Sequence, residues 1–190
     1  MYYGLTNLIK LIQVPEDELS DQQRQGILEL ERTCFGDVDP EEIEERFCAE
    51  VHARILAYSN EKLVGYLILH KRKIEFDDRE IIVGGAVGAC VAKYMRRRGI
   101  GKRLMNKGLA VLKKQGCDVA CLNADPENRK AAFELYELGF RLMERRISFE
   151  DINDNLRYDT GTMFIPLNSE ELFSRIMNSK SIFHYGRGYW

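Results

Sequence analysis

Between Lys93 and Arg103 the chain changes its hydrophobic period, and the junction is both cationic and punctuated by glycine. Upstream, Ile81 to Ala92 is an apolar run with several glycines and reads as a strand. Downstream, Gly99 to Gln115 places Ile100, Leu104, Val111 and Leu112 on one side and reads as a helix closed by Gly116. A strand that hands over directly to an amphipathic helix calls for a layered fold of sheet and helices. The turn itself is Lys-Tyr-Met-Arg-Arg-Arg-Gly-Ile-Gly-Lys-Arg, six cations and no acid in eleven residues. A helix N-terminus already carries about +0.5 charge, so cations there oppose the dipole unless a polyanion binds. Gly99 and Gly101 lack a Cβ, which lets backbone N–H groups approach a phosphate closely. The expectation is a phosphate or pyrophosphate cradle; the alternative is a solvated basic turn with glycines for packing. A P-loop is disfavoured because Arg103 follows Gly101-Lys102, and a dinucleotide turn because Leu104 stands where its last glycine belongs.

The rest of the chain fits one domain over 1–190, with 168–190 as a C-terminal helix and tail. Leu8 to Val14 reads as a first strand, closed by Pro15, and Glu16 to Cys34 as a helix. Asp39-Pro40 suits a cap and first helical position, followed by Glu41, Glu42, Glu44 and Glu45. Val51 to Ser59, Lys62 to Phe76 and Ile81 to Ala92 form an antiparallel meander with turns at Asn60-Glu61 and Asp77-Asp78-Arg79. After the long helix come a short buried strand (Val119 to Ala124) and a helix from Asp125-Pro126 to Gly139. A strand (Phe140 to Phe149), a loop (Glu150 to Tyr158), a strand (Gly161 to Leu167) and a short capped helix to about Met177 complete the order. The fold class is α/β (α+β), a mixed sheet with helices on its faces.

Lys plus Arg total 28 and Asp plus Glu 30, a net charge of −2 that argues against a dedicated nucleic-acid or membrane-surface protein. No apolar run approaches the ~20 residues that span a bilayer, and the N-terminus lacks a signal-peptide pattern. Five cysteines without a CxxC spacing read as reduced, mostly buried thiols of a cytoplasmic protein, and a disulfide framework is not expected. No metal site is expected.

Two motifs carry a family resemblance. Arg96-Arg97-Arg98-Gly99-Ile100-Gly101 resembles the Gln/Arg-x-x-Gly-x-Gly/Ala signature of the GNAT superfamily, the acyl-CoA-dependent N-acyltransferases. Asn128 to Phe140, with Ala131, Ala132, Tyr136 and Gly139, is similar to that family's second signature, Asn-x-x-Ala-x-x-Leu-Tyr-x-x-x-Gly-Phe. Tyr136 stands one residue later than the pattern, about 100° of helical rotation. The resemblance covers Lys62 to Phe149 and implies a mixed, mostly antiparallel central sheet of about seven strands with helices on both faces. It also implies acetyl-CoA as cosubstrate. The pyrophosphate would lie on Arg96, Arg97, Arg98, Gly99, Ile100, Gly101 and Lys102. The pantetheine arm would pair with main-chain groups around Cys90 and Val91, and Asn128 would contact it.

Acetylating an amine needs a deprotonated amine, a stabilised oxyanion and a proton for the departing CoA thiolate. By resemblance Tyr136 takes the last role, since a phenol is a donor at neutral pH; the alternative is a half-buried aromatic on an amphipathic helix. Cys90 has no base nearby in sequence to make it a covalent acyl carrier. Many family members carry a strand glutamate as base, whereas Gly84 to Ala89 contain no carboxylate. His52, His70 and His184 read as surface or packing residues.

The segment from Asp159 to Leu167 with the terminal Gly-Tyr-Trp190 is similar to the ends of aminoglycoside 2′-N-acetyltransferases, whose terminal Trp carboxylate can face a polyamine. Glu41, Asp151 and Trp190 are the candidate substrate residues, and a small-molecule amine is the expected acceptor. A homodimer is left open. The rivals are a protein or peptide N-acetyltransferase and a non-catalytic acyl-CoA-binding module, which would have no need of Tyr136. A nucleic-acid partner is not expected.

Overall fold

The computed structural model describes residues 8–36, 49–123 and 129–190. The helix expected after Asp39-Pro40, the helix start at Asp125-Pro126, Glu41 and Asn128 lie outside the described residues. Seven strands form one sheet in the order β1 (Ile9–Pro15), β2 (Ala53–Ser59), β3 (Lys62–Phe76), β4 (Arg79–Val91), β5 (Val119–Asn123), β9 (Thr162–Pro166), β6 (Arg141–Leu142). β1 to β4 are antiparallel neighbours, β4 and β5 are parallel, and β9 runs antiparallel to β5 and β6. Both tight turns of the meander are of the primed type. Asn60, Glu61, Asp77 and Asp78 all have positive φ, which matches the twist of a two-residue hairpin.

Four helices are described: α1 (Asp21–Phe35), α2 (Ile100–Lys114), α3 (Arg129–Leu138) and α4 (Glu170–Asn178). α1 starts later than the sequence suggests. Glu16–Glu18 make a single 3₁₀ turn, and Ser20 then caps the helix in a reciprocal box with Gln23. The Tyr66 hydroxyl donates to Glu31 of α1, whereas Leu67 and Leu69 face α2. Successive strand residues point to opposite faces, so α1 and α2 sandwich the sheet. α2 lies very close to it: a Cβ on Gly108 would come within 2.5 Å of Leu67 Cδ2. A mid-helix glycine costs up to about 1 kcal/mol in helix propensity, and the close approach offsets it. The core on this side includes Ile55, Leu67, Leu69, Leu104 and Leu112, all essentially inaccessible.

The expected strand Phe140 to Phe149 is broken in two, β6 and β7 (Ile147–Glu150). Arg145 is the physical reason. Its guanidinium leaves the ladder and donates to the carbonyls of Ile176 and Ser181, closing the C-terminal end of α4. The expected loop Glu150 to Tyr158 also contains a strand, β8 (Leu156–Asp159), antiparallel to β7. The tail adds a tenth strand, β10 (Phe183–Arg187), parallel to β7, so β10, β7 and β8 make a second sheet. Its aromatic core joins Phe149, Phe164, Phe183, Tyr185, Tyr189 and Trp190.

The cysteines correct another expectation. Cys34 of α1 and Cys90 of β4 form a disulfide, with Cα atoms 6.3 Å apart. Cys117 and Cys121 are buried free thiols. Neither spacing nor composition brings Cys34 and Cys90 together; the packing of α1 over the end of β4 does.

Candidate functional site

A cleft opens where β4 and β5 part. The two strands pair only at Val83–Val119, Gly84–Ala120 and Gly85–Cys121. Beyond Gly85, β4 continues along β3 and β5 along β9, so among the described residues no strand pairs with the β5 side of β4 from Ala86 to Val91. Within this edge lies a bulge. Tyr66 pairs with Cys90 and Ile68 with Val87, so three steps of β4 match two of β3. Gly88 takes φ +61°, and a Cβ there would stand 2.9 Å from Ile68 Cδ1. A bulge re-aims the backbone groups around it. Sequence reasoning missed this feature, although a third glycine within five residues was its signal.

At the end of β4 the Val91 carbonyl accepts from Arg96 Nε at 2.9 Å. The chain then turns through Lys93–Met95 into the start of α2. Arg97 has φ +61°, a conformation that costs a non-glycine residue about 1–2 kcal/mol. Gly99 caps α2 at φ +73° without any side-chain cap, and no acid lies in the first turn. Ile100 is buried and anchors the helix, so it can offer a ligand only its main chain. Arg96, Arg97, Arg98, Gly99 and Lys102 are exposed. Among the described residues, no ion pair involves Arg97, Arg98 or Lys102. Arg103 is engaged elsewhere, donating to the Ile9 carbonyl at 2.9 Å.

The glycines test whether this turn fits a pyrophosphate. Among the described residues, a Cβ on Gly99 or Gly101 would meet no atom within 4 Å, so neither glycine serves packing against them. That disposes of the packing explanation for the two glycines. The open space lies against the first turn of a helix, whose N–H groups have no intrahelical acceptors. The residues present fit an anionic phosphate group, and the adjacent edge of β4 fits an extended amide-bearing arm.

The remaining candidates are more scattered. Tyr136 lies on α3 with its side chain exposed. Its carbonyl accepts from Gly139 N–H at the helix end. Trp190 is buried, its ring stacked on His70 at 5.3 Å and lying 4.7 Å below the Arg72 guanidinium. A Cβ on Gly85 would touch the indole at 3.0 Å, so Trp190 backs the apex of the cleft. His70 is buried with Nδ1 2.7 Å from the Glu50 carbonyl oxygen, and burial lowers its pKa to about 4. Asp151 belongs to its own loop. Its buried carboxylate accepts from the main-chain N–H groups of Asn153 and Asn155 and from Arg157 Nε at 2.7 Å. Burial alone would raise its pKa, but those bonds outweigh it and hold the acid at about 2. The Asn155 side-chain amide also donates to Oδ2, so the loop supplies four donors to a carboxylate with about four lone-pair sites.

The comparisons with known proteins agree with this geometry. The family model described as an acetyltransferase (GNAT) domain matches residues 17–143. No curated protein matches the sequence. Among solved structures, the ribosomal-protein-S18-alanine N-acetyltransferase from Escherichia coli superposes with a TM-score of 0.59 at 17% identity, over 86% of this chain and 98% of that one. Arabidopsis thaliana Naa50, in complex with the bisubstrate analogue CoA-Ac-MVNAL, gives 0.57 at 19% identity, over 83% and 97%. An aminoglycoside acetyltransferase from an uncultured soil metagenomic sample gives 0.53 at 20% identity, over 70% and 88%. These likenesses concern the fold, and the family match, which spans the cleft and the turn after β4, concerns the chain itself. The chain belongs to the GNAT family of acetyl-CoA-dependent N-acetyltransferases.

Proposed function

We propose that the protein transfers the acetyl group of acetyl-CoA directly to the primary amine of a small molecule, both substrates being bound at once. Acetyl-CoA supplies the activated acyl group, and the chain supplies its placement. The observation that carries the reading is the coincidence of an open strand edge, a β-bulge and a cationic helix start with unfilled glycine positions. Main-chain N–H groups from Arg97 to Lys102 would hold the pyrophosphate, with the Arg98 and Lys102 side chains adding charge. Main-chain groups of Cys90 and Val91 would hold the pantetheine arm, with Asn128 beside it, and Arg96 already fixes the Val91 carbonyl. Cys90 is buried and joined to Cys34, which favours direct transfer over an acyl-cysteine route. Tyr136 would hand a proton to the departing thiolate. β4 carries no carboxylate beyond Glu80 near its start, so the amine would lose its proton to water, to a residue from elsewhere in the chain or to the C-terminus. A cytoplasmic site of action, with access to acetyl-CoA, is part of this reading. So is a small-molecule acceptor received near Trp190.

A thiol-release assay with acetyl-CoA tests it against polyamines, aminoglycosides, amino acids and peptide N-termini. Small polyamines should stimulate release, with kcat/KM rising as pH approaches the amine's own pKa near ~10. Tyr136→Phe should lower kcat by roughly tenfold or more while leaving acetyl-CoA affinity nearly unchanged. If acetyl-CoA binds and no amine stimulates release, the chain is a binding module. An unchanged kcat removes Tyr136 from the acid role.

A further inference from the structure

The transfer reaction leaves one reactive feature of the cleft unused, the sulfur pair at its rim. Cys34 sits in the last turn of α1 and Cys90 is the penultimate residue of β4. Contacts on both sides tie this pair to the strand end and to α1. Cys34 Sγ is 3.7 Å from the Val91 carbonyl oxygen, and Cys90 Sγ is 3.5 Å from that of Leu30. Arg96 bridges the two parts, with Nε on the Val91 carbonyl at 2.9 Å and Nη2 3.6 Å from Cys34 Sγ. Cys34 is partly accessible, so a small disulfide can reach its sulfur. Cys90 is only 2% exposed.

We propose that Cys34 and Cys90 form a reversible clasp, closed by exchange with a low-molecular-weight disulfide, whose state sets the affinity for acetyl-CoA. The affinity part rests on the reading that the end of β4 receives the pantetheine arm. Closure takes two exchange steps. The Cys34 thiolate attacks one sulfur of oxidised glutathione, forming a mixed disulfide and releasing one glutathione thiolate. Cys90, having lost its proton to solvent, attacks the Cys34 sulfur and releases the second. Two protein thiols are oxidised, one glutathione disulfide is reduced to two thiols, and no other reactant is needed. In the open form the covalent link is gone, and α1 is held over β4 by side-chain packing alone. In the closed form a covalent bond pins the strand end to α1. The cleft edge is then preorganised, and less ordering remains for the ligand to bring about.

The test compares protein treated with oxidised glutathione against protein fully reduced with a phosphine and freed of it. Alkylation under denaturing conditions, read by intact mass, should add five groups to the reduced chain and three to the closed one. Cys34→Ser should take four groups after either treatment. Calorimetry with acetyl-CoA, which has no free thiol, should show roughly three- to tenfold weaker binding to the reduced protein than to the closed one. Cys34→Ser should match the reduced protein whatever its treatment. Five groups on the glutathione-treated chain would overturn the clasp. Three groups with equal affinities would overturn its control of the ligand. If no form binds acetyl-CoA, the proposed function and the affinity claim fall together, and the alkylation count still decides whether the clasp exists.

Discussion

Asp151 illustrates how a buried carboxylate is held ionised by its own loop. Four donor groups converge on it from within six residues: two main-chain N–H groups, the Asn155 side-chain amide and the Arg157 guanidinium. Its folded pKa of about 2 lies below the ordinary 3.8, so the group contributes stability that is fully present above pH 3.8. That contribution is lost as pH falls through 2, because the protonated acid accepts fewer and weaker bonds. Asp151→Asn keeps the shape and removes the charge. Its thermal unfolding midpoint should lie below that of the parent at pH 7. The gap between the two proteins should shrink as pH falls from 4 toward 2. Thermal melts across that range check it; a gap that stays constant would mean that ionisation of Asp151 is not what matters. The same residue bears on the substrate question. A carboxylate already saturated by its own loop makes a poor receiver for a cation, and Asp151→Asn should therefore leave the KM for the amine close to that of the parent.

At the scale of the element, the start of α2 separates stability from ligand binding in two neighbouring glycines. Gly99 needs its left-handed φ, so Gly99→Ala should destabilise the protein by about 1–2 kcal/mol. Gly101 is helical, and among the described residues its missing Cβ faces no atom within 4 Å. Gly101→Leu should leave the unfolding midpoint unchanged or raise it, since leucine is the better helix former by up to about 1 kcal/mol. The same side chain would stand in the proposed pyrophosphate cradle, and acetyl-CoA affinity should fall by about tenfold or more. Calorimetry and denaturant titration on the two variants read both effects. Equal affinity in Gly101→Leu would move the cradle away from this turn. This junction was legible in sequence because its signals are local: a change of period, a run of cations and two glycines within eleven residues. The meander was legible for the same reason, with Lys62–Phe76 bounded by two tight turns. What escaped was non-local. Arg145 interrupts a strand to reach α4 carbonyls more than thirty residues away, and Cys34 meets Cys90 across the cleft rim only because α1 lies over β4. The Gly88 bulge is defined by the registry between two strands, and a third nearby glycine was its one local sign.

At the scale of the molecule, one sheet carries two cores and each has a different task. The aliphatic core between sheet and α2 holds the turn that would bind the cofactor. The aromatic core, built from the second sheet and the tail, backs the point where β4 and β5 part. Phe183 makes edge-on contacts with Phe164 and Tyr185, and Tyr185 with Trp190, so the tail is an integral wall and not an appendage. Without β10, the second sheet would be only the β7–β8 ribbon, and an isolated two-stranded ribbon is marginal in water. Phe183→Ala should therefore cost about 3–5 kcal/mol, a large part of the 5–15 kcal/mol that a domain has. Yet the cofactor turn belongs to the other core. At low temperature the fraction that remains folded should bind acetyl-CoA with near-parental affinity. Urea titration with and without acetyl-CoA separates the two effects, because ligand stabilisation depends only on its concentration relative to Kd in the folded state. A parental increment of stability on adding ligand to a weakened Phe183→Ala protein would show the two cores acting independently. A lost increment would instead mean that the aromatic wall holds the cleft open in the geometry the cofactor needs.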